Sequence, residues 1–488
     1  MNSLYAGLFR ALAPETALVV AALAVIGLDL VAGRRRTLAW RLNLATLIGA
    51  LGVLAAGVLV LATGPVGAVF GGTLMFDMLA VAVRVGVLAL MLLTLGVVTA
   101  APLSRQPAEY VALILFAGVG FLQMAVAQQL LMAFLAVELA SLSLYVLAGY
   151  DRSRPESAEA ALKYFLLGAV SAAFLLFGFS LLFGLTGSIG FGEISHVLGY
   201  QAMSPLLAVA LVMVLVAFGF KAAAAPFHLW APDAYQGAPT PSAALIASAS
   251  KLAGFALFWR LLWSGLGSVS GQFTAHHSYP GWLVIVALLS GASLLLGNFA
   301  ALAQTNVRRL LAYSAISHAG ALLLGILSAG QSGPGPLFYY AATYGIAAAG
   351  AFGVIAVVER HGRCQEITDL AGLHQRSPLL SGCLLVFVLS LAGIPPLAGF
   401  FGKFAVFAAA LQMAGIASPA GWLTILAIAL SAVALYYYLI VLKQALVSAP
   451  AAGAAKIPVP RFAALTLVVA AALLIALGIF PSVILQLY

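Results

Sequence analysis

A chain of 488 residues with 64% hydrophobic and only 7% charged side chains cannot present a water-facing surface, since soluble proteins average roughly 25% charged residues. Most of its surface must face lipid, which excludes a soluble globular enzyme and makes membrane spans the units of the fold. The formal charge of +9 would fit nucleic acid or an anionic substrate, but the placement of the positive residues along the chain explains it better.

A helix crossing a ~30 Å hydrocarbon layer needs about 20 mostly apolar residues. The first such stretch, 12–33, has Glu15 rather than a basic region near its start and Arg34, Arg35 and Arg36 after it, so it reads as a permanent span and not a cleavable signal. Spans two to five follow at 41–63, 73–100, 108–127 and 129–150, with only Gln128 and Gln129 dividing the fourth from the fifth. Spans six to nine fall at 158–186, 203–230, 240–265 and 280–303. The last five fall at 309–330, 335–359, 378–412, 419–445 and 462–486. The fold class is therefore an all-α polytopic membrane protein of about fourteen transmembrane helices.

The loop charges test this count. Loops after odd-numbered spans hold Arg34, Arg35, Arg36, Arg41, Arg105, Arg152, Arg154, Arg308, Arg309, Arg360, Arg363, Arg376, Lys443, Lys456 and Arg461, which is fifteen of the 22 Lys and Arg residues. Loops after even-numbered spans hold none. A missed or invented span would scramble this split. The excess of positive charge on one side puts the odd loops in the cytoplasm and both termini on the opposite side of the membrane.

Seven basic residues remain: Arg10, Arg84, Lys163, Lys221, Lys251, Arg260 and Lys403. All but Arg10 fall within spans, as do Asp77 and Glu138. An ionisable group at mid-membrane costs at least ~2.5–3.5 kcal/mol on insertion scales and so marks a functional position by default. Glu138, Lys221, Lys251 and Lys403 lie too deep to snorkel easily, and a buried ion pair of purely structural use is the competing reading. Lys163 lies only a turn or two inside span six, within snorkelling reach. Arg260, near the end of span eight, reads as an interfacial anchor. Asp77 and Arg84, seven residues apart on one helical face, read as compensating a neighbouring helix or subunit.

Two spans carry a second signal. Span seven reads LVAFGFKAAAAPFHLWAPDA, with Pro226 and Pro232 after Lys221. Span twelve reads LSLAGIPPLAGFFGKFAVF, with Gly393, Pro395, Pro396 and Gly399 ahead of Lys403. Proline removes a helix hydrogen bond and clashes with the preceding turn, so both helices should break or kink. Irregular backbone at membrane depth is tolerated only where it is buried in protein or lines a polar cavity. A simple proline kink is the bland alternative for either span alone, but a deep lysine beside each break argues against coincidence. The two breaks are five spans apart, an odd offset that reverses direction through the membrane. This fits inverted repeats of spans 4–8 and 9–13, and divides the chain into 1–107, 108–275, 276–450 and 451–488. The symmetry is incomplete, because no Asp or Glu lies deep in the second repeat. Its best buried titratable group is His318, although a lone histidine there is more often a hydrogen-bonded core residue. His228, Lys163 and His318 are the relay candidates beside the four main residues. Cys364 and Cys383 have no metal-ligand spacing, so neither a disulfide nor a metal is expected.

The segment KAAAAPFHLWAPDAYQGAPTPSAALIASASKLAGF (221–255) closely resembles the antiporter-like, proton-translocating membrane subunits of bacterial respiratory complex I, in particular the subunit N branch. EAALKYFLLGAVSAAFLLFG (159–178) and LSLAGIPPLAGFFGKF resemble the same branch, and the match spans nearly the whole chain. Lysine rather than glutamate in the last motif, and the DAYQGAPTP segment, favour N over the related L and M branches. The resemblance implies that Glu138 is the glutamate of helix five, Lys221 its partner in broken helix seven, Lys251 the central lysine of helix eight, and Lys403 the terminal lysine of broken helix twelve. Lys163 matches a lysine of helix six often discussed with the channel. The resemblance further implies no redox chemistry and no cofactor in this chain, with FMN, iron–sulfur clusters and quinone in other subunits. The implied partners are other complex I membrane subunits, including sister antiporter-like ones, and membrane lipid, with no nucleic acid. The absence of iron–sulfur cysteine spacings and nucleotide-binding glycine fingerprints agrees.

Burial disfavours a lysine ammonium and a nearby carboxylate restores it, so Glu138 beside Lys221 reads as a switch that holds or releases a proton. The proton would pass through water to Lys251, past His318 to Lys403, and out. The chain has no fuel site, so the driving force must come from quinone reduction in neighbouring subunits. The alternatives are an independent Mrp-type cation/proton antiporter on the same polar axis and a non-conducting scaffold.

Overall fold

The computed structural model describes residues 2–33, 36–101, 106–273, 278–279, 281–416, 418–450 and 453–485. Arg34, Arg35 and Arg105 of the loop-charge pattern lie outside the described residues. Among the described residues, thirteen helices are long and apolar enough to cross a membrane, and the pair Pro378–Ala392 and Ala398–Ala414 supplies a fourteenth crossing in two pieces. Spans four and five are separate helices, Pro107–Val126 and Leu130–Ala148, parted by extended backbone at Ala127 and Gln129.

Local chemistry sets several boundaries. Asp77 caps Met78–Val98 by accepting from the Ala80 N–H at 2.7 Å. Ser204 caps Pro205–Ala222 (Leu207 N–H, 3.2 Å) and Ser418 caps Pro419–Leu446 (Gly421 N–H, 3.0 Å), each with proline following at the first helical position. Asn306 caps Val307–Ser332 through two N–H groups. Each side chain takes up backbone donors that the first turn leaves free, and proline has no such donor to lose.

Loop contacts separate the two ends of the bundle. At one end the loops after spans two, four and six meet: Gln128 N–H donates to Thr73 O, Leu130 N–H to Ile189 O and Phe191 N–H to Gln128 O. At the other, Arg360 reaches Thr99 O at 2.9 Å, Val307 N–H donates to Gln365 O, and Gly372 N–H donates to Gln444 O, joining the ends of spans three, nine, eleven and thirteen. Even and odd loops thus gather at opposite ends, as an unbroken alternation of crossings requires. Two short hairpins, Gly67–Val69 with Leu74–Phe76 and Gln272–Phe273 with Ser278–Tyr279, sit in even-numbered loops and have no counterpart in the sequence reading.

Burial ranks the spans. In Thr240–Gly265 and Val307–Ser332, 94% of the apolar window is enclosed by other helices, against 33% in Pro155–Thr186 and Arg461–Ile479. Span six turns Leu162, Phe165, Leu166, Val170 and Phe177 outward, a face only lipid or another apolar surface can cover. Spans eight, ten and eleven form the centre, where Lys251 and His318 reside.

Two ion pairs tie the first spans to this frame, and both change the sequence reading. Glu15, placed there at the start of span one, is buried and accepts from Arg84 at 2.7 Å. Arg260 is no interfacial anchor. It is 1% exposed, donates to Asp77 at 2.6 Å and to Ala125 O at 2.7 Å, and closes the even-loop end of span eight. Asp77 and Arg84 therefore do compensate neighbouring helices, each through its own partner. Arg84→Ala would leave Glu15 buried and unpaired, so it is expected to destabilise the purified protein by ~3–5 kcal/mol. An unchanged thermal unfolding midpoint in detergent would show that the pair contributes nothing.

Candidate functional site

The breaks in spans seven and twelve build the site. Span seven's helix ends at Ala222, short of the expected 230, because Ala223 turns left-handed (φ 57°, ψ 40°). The chain resumes as Trp230–Gly237 after a non-helical segment containing a cis Ala225–Pro226 bond. Backbone groups released by the break find partners: Trp230 Nε1–H donates to Phe220 O at 3.0 Å, and Ala225 N–H donates to Ser293 Oγ at 2.8 Å. Unpaired, each would cost a desolvation penalty of ~1–3 kcal/mol.

Span twelve breaks at Gly393 (φ 86°), and Pro395–Pro396 is cis. The lysine itself takes a freed carbonyl here, with Lys403 Nζ donating to Ala392 O at 3.0 Å. The C-terminal end of a helix favours a cation, and Lys403 bonds that end of Pro378–Ala392, while Lys221 occupies the last turn of Pro205–Ala222. A Cβ on Gly393 would lie 3.0 Å from Lys403 Cδ, and one on Gly399 would lie 1.8 Å from Ser390 O, so both glycines let the half-helices close on the lysine.

Span eight, read as continuous, is interrupted at Ser248 (φ −112°, ψ −88°), three residues before Lys251. The Ser248 hydroxyl bonds back to Ala244 O at 2.6 Å, and such back-bonding bends helices. No proline or glycine announces this interruption.

Along the axis, Glu138 and Lys221 line one cavity of ≈ 20 Å³ with Ser141, Tyr145 and Ser171, room for about one water molecule. They do not form an ion pair within 4.0 Å. Lys221 Nζ instead donates to Ser141 Oγ at 3.1 Å, one turn along the helix from Glu138. A smaller gap of ≈ 10 Å³, walled by Phe218, Phe255 and Phe258, lies between Lys221 and Lys251. Lys251 is 4% exposed, donates to Ala315 O at 2.6 Å and stands 5.1 Å from the centre of the Tyr344 ring. The His318 ring centre lies 4.7 Å from that of the same tyrosine. A third small cavity joins His318, Tyr340 and Lys403 with Asn298, Ser317 and Tyr437. Among the described residues no carboxylate forms an ion pair with Lys251 or Lys403; the pairs involve other groups.

The relay candidates separate. His318 lies beside Tyr344 and lines the cavity with Lys403. Lys163 lies at the odd-loop end, where it pairs with Glu159 at 2.6 Å and Asp233 at 2.7 Å, its side chain 43% exposed. Asp233 also accepts from Arg309 at 2.6 Å, tying span seven's second half to span ten. His228 is buried in the segment after the span seven break, and its Nδ1 has no hydrogen-bond partner. Cys364 and Cys383 are free and buried. Burial pushes the Cys364 thiol, in a loop outside the spans, well above its ordinary range, with Glu359 and Asp369 adding to the effect. That thiol stays protonated and unreactive. The sequence reading missed Ser141, Tyr340, Tyr344 and Tyr438. Ser141, at i+3 from Glu138, was the only one with a local signal.

Residues 127–435 match the family described as NADH:quinone oxidoreductase/Mrp antiporter, TM. The chain is similar to "NADH-quinone oxidoreductase subunit N 2" of Acidobacterium capsulatum, with 48% identity covering 99% of this chain and 98% of the relative. It is 38% identical to "NADH-quinone oxidoreductase subunit N" of Nitrosomonas europaea, over 90% of this chain and 88% of that one. Among solved structures, a chain of respiratory complex I from Thermus thermophilus with bound aureothin superposes with a TM-score of 0.80 at 35% identity, covering 97% of this chain and 98% of that one. A chain of the Mrp complex from Dietzia sp. shares the fold, with a TM-score of 0.79 at 22% identity over 97% and 96% of the two chains. A family match over more than half the chain and near-full-length relatives lead to one conclusion: this protein belongs to the NADH:quinone oxidoreductase/Mrp antiporter transmembrane family.

Proposed function

We propose that this chain is a proton-translocating membrane subunit of a bacterial NADH:quinone oxidoreductase, working beside sister antiporter-like subunits in the cytoplasmic membrane. Protons move along Glu138, Lys221, Lys251, His318 and Lys403, coupled to quinone reduction elsewhere in the complex. The supporting observation is the row of enclosed lysines, each held by a neutral oxygen rather than by a carboxylate. A lysine locked to a carboxylate keeps its proton, whereas one bonded to a serine hydroxyl or a peptide carbonyl has only hydrogen bonds to exchange on giving it up. FMN, iron–sulfur clusters and quinone belong to other subunits in this reading, and this chain carries no redox step. Residues 108–275 and 276–450 form the two inverted repeats, flanked by 1–107 and 451–488.

Ser141 between Glu138 and Lys221 refines the switch. The open arrangement, with the carboxylate away from the lysine, is the one in which Lys221 can release its proton; closure onto Glu138 would hold it. The rival reading, a cation/proton antiporter, is separated by ion dependence. NADH-driven acidification of vesicles holding the assembled complex is expected to be the same with and without Na⁺ or K⁺. A requirement for either cation would favour the antiporter.

The orientation follows from the loop charges and has its own test. Single cysteines at Gly64 and Ser332, at even-loop ends, are expected to react with an impermeant thiol reagent added outside the cell, and one at Ser153 is not. Labelling of Ser153 from outside would reverse the orientation.

A further inference from the structure

His318 has a tyrosine hydroxyl on each ring nitrogen. Tyr340 Oη of span eleven lies 2.6 Å from Nδ1, and Tyr438 Oη of span thirteen lies 3.2 Å from Nε2. The two phenols face different neighbours. Tyr438 is hydrogen-bonded to Ser314, one turn before His318 and next to the Ala315 carbonyl that holds Lys251. Tyr340 and His318 line the small cavity that contains Lys403. All four side chains are buried, so bulk water cannot replace a missing hydroxyl. A core histidine satisfied for stability alone needs one donor and one acceptor from any source. Two phenols meet that requirement, and each also leads away from the ring, Tyr438 to Ser314 and Tyr340 to the cavity that Lys403 lines.

We propose that Tyr438 and Tyr340 pass protons to and from His318 and make it a one-way-at-a-time relay between the Lys251 side and the Lys403 side, an inference that rests on the proton-transfer reading above. A neutral imidazole carries hydrogen on one nitrogen and a lone pair on the other. With a phenol at each, one must donate to the ring and the other must accept from it. When Nε2 carries the lone pair, Tyr438 gives its hydroxyl proton to Nε2 and takes one from the Ser314 side. In the same turnover Nδ1–H passes to Tyr340, whose own hydroxyl proton leaves for the Lys403 cavity. One proton enters and one leaves, no heavy-atom bond changes, and every phenol and the imidazole end neutral. The imidazole is left in the opposite tautomer, so the ring must turn in its site, carrying its proton from the Tyr438 side to the Tyr340 side, and the hydroxyls must rotate before the next transfer. That reset prevents a continuous leak between the two lysines.

The test uses Tyr438→Phe, Tyr340→Phe and their double variant in assembled complex, with Tyr339→Phe as the control. Tyr339 is adjacent in sequence but donates to Leu477 O, away from the axis. Each single variant is expected to lower NADH-driven proton pumping by about tenfold or more, toward the ~10²–10⁴-fold usual for a group that itself transfers the proton. Because the phenols act in series, the double variant is expected to be no worse than the worse single one, whereas independent packing losses would multiply. Near-normal pumping by either single variant, or a double loss equal to the product of the singles, overturns the inference. If Tyr438→Phe does not assemble, Ser314→Ala decides: loss of pumping supports the relay and normal pumping overturns it. Lys251→Ala, run alongside, separates the two levels. Its normal pumping would remove the underlying reading, while a dead Lys251→Ala with healthy tyrosine variants would remove only this inference.

Discussion

Lys251→Arg is expected to fail almost as badly as Lys251→Ala, although arginine preserves the positive charge. Lys251 stands at the centre of the row, with Ala315 O and the Tyr344 ring as neighbours and no carboxylate paired with it. A relay there must both take and give a proton, and a guanidinium cannot be deprotonated in a protein, its pKa lying above ~12. Pumping in either variant is expected to fall by about 10²-fold, the low end for loss of a positioned proton-transfer group. Lys403 has a different task. It bonds the freed carbonyl at the end of Pro378–Ala392, and a fixed cation at that position already matches the helix end. Lys403→Arg is therefore expected to keep more activity than Lys403→Ala. The space beside Gly393 is tight, since a Cβ there would lie 3.0 Å from Lys403 Cδ, which limits how well the larger head fits, so the retention will be partial. Proton pumping by all four variants, at equal levels of assembled complex, checks both statements. Near-normal pumping by Lys251→Arg would show that its charge matters and its titration does not.

The second large effect concerns the first half of the axis. Glu138→Ala and Lys221→Ala are each expected to depress proton pumping and coupled quinone reduction together, by about tenfold or more, while the complex assembles. Assembly is expected to survive because the two residues form no ion pair whose loss would strand a buried charge. Lys221 is held by Ser141, and Glu138 shares only a cavity with it. Ser141→Ala offers a graded control. Removing one neutral hydroxyl costs about 1 kcal/mol, so its effect on pumping is expected to be several-fold smaller than that of Lys221→Ala. Equal losses would mean that Ser141 itself carries the proton.

Much of the axis was legible in the chain because lipid penalises charge so heavily. Glu138, Lys221, Lys251 and Lys403 stood out against apolar runs, and the prolines and glycines beside Lys221 and Lys403 announced the breaks found at Ala223 and Gly393. What stayed hidden were partnerships between distant segments. Arg260 and Asp77 are 183 residues apart and Arg84 and Glu15 are 69 apart, and no periodicity within a span says which helix it will face. Tyr340 and Tyr438 were hidden for another reason, since a tyrosine in an apolar run has the same hydropathic signature whether its hydroxyl is idle or bonded to a histidine. The Ser248 interruption was invisible because a side-chain bond to the preceding turn, and not a proline, bends the helix there. Lys163 shows both cases: its marginal depth was legible, but its pairing with Asp233, 70 residues away, was not.

The central claim is that protons cross the membrane through this chain's own lysines, and the rate of NADH-driven proton uptake by vesicles containing the assembled Lys221→Ala complex tests it most directly. Measured at equal complex content against the unsubstituted protein, that rate is expected to fall by about tenfold or more, with NADH oxidation falling alongside. An assembled Lys221→Ala complex that pumps at the unsubstituted rate would contradict the claim and leave this chain a scaffold for protons that travel elsewhere.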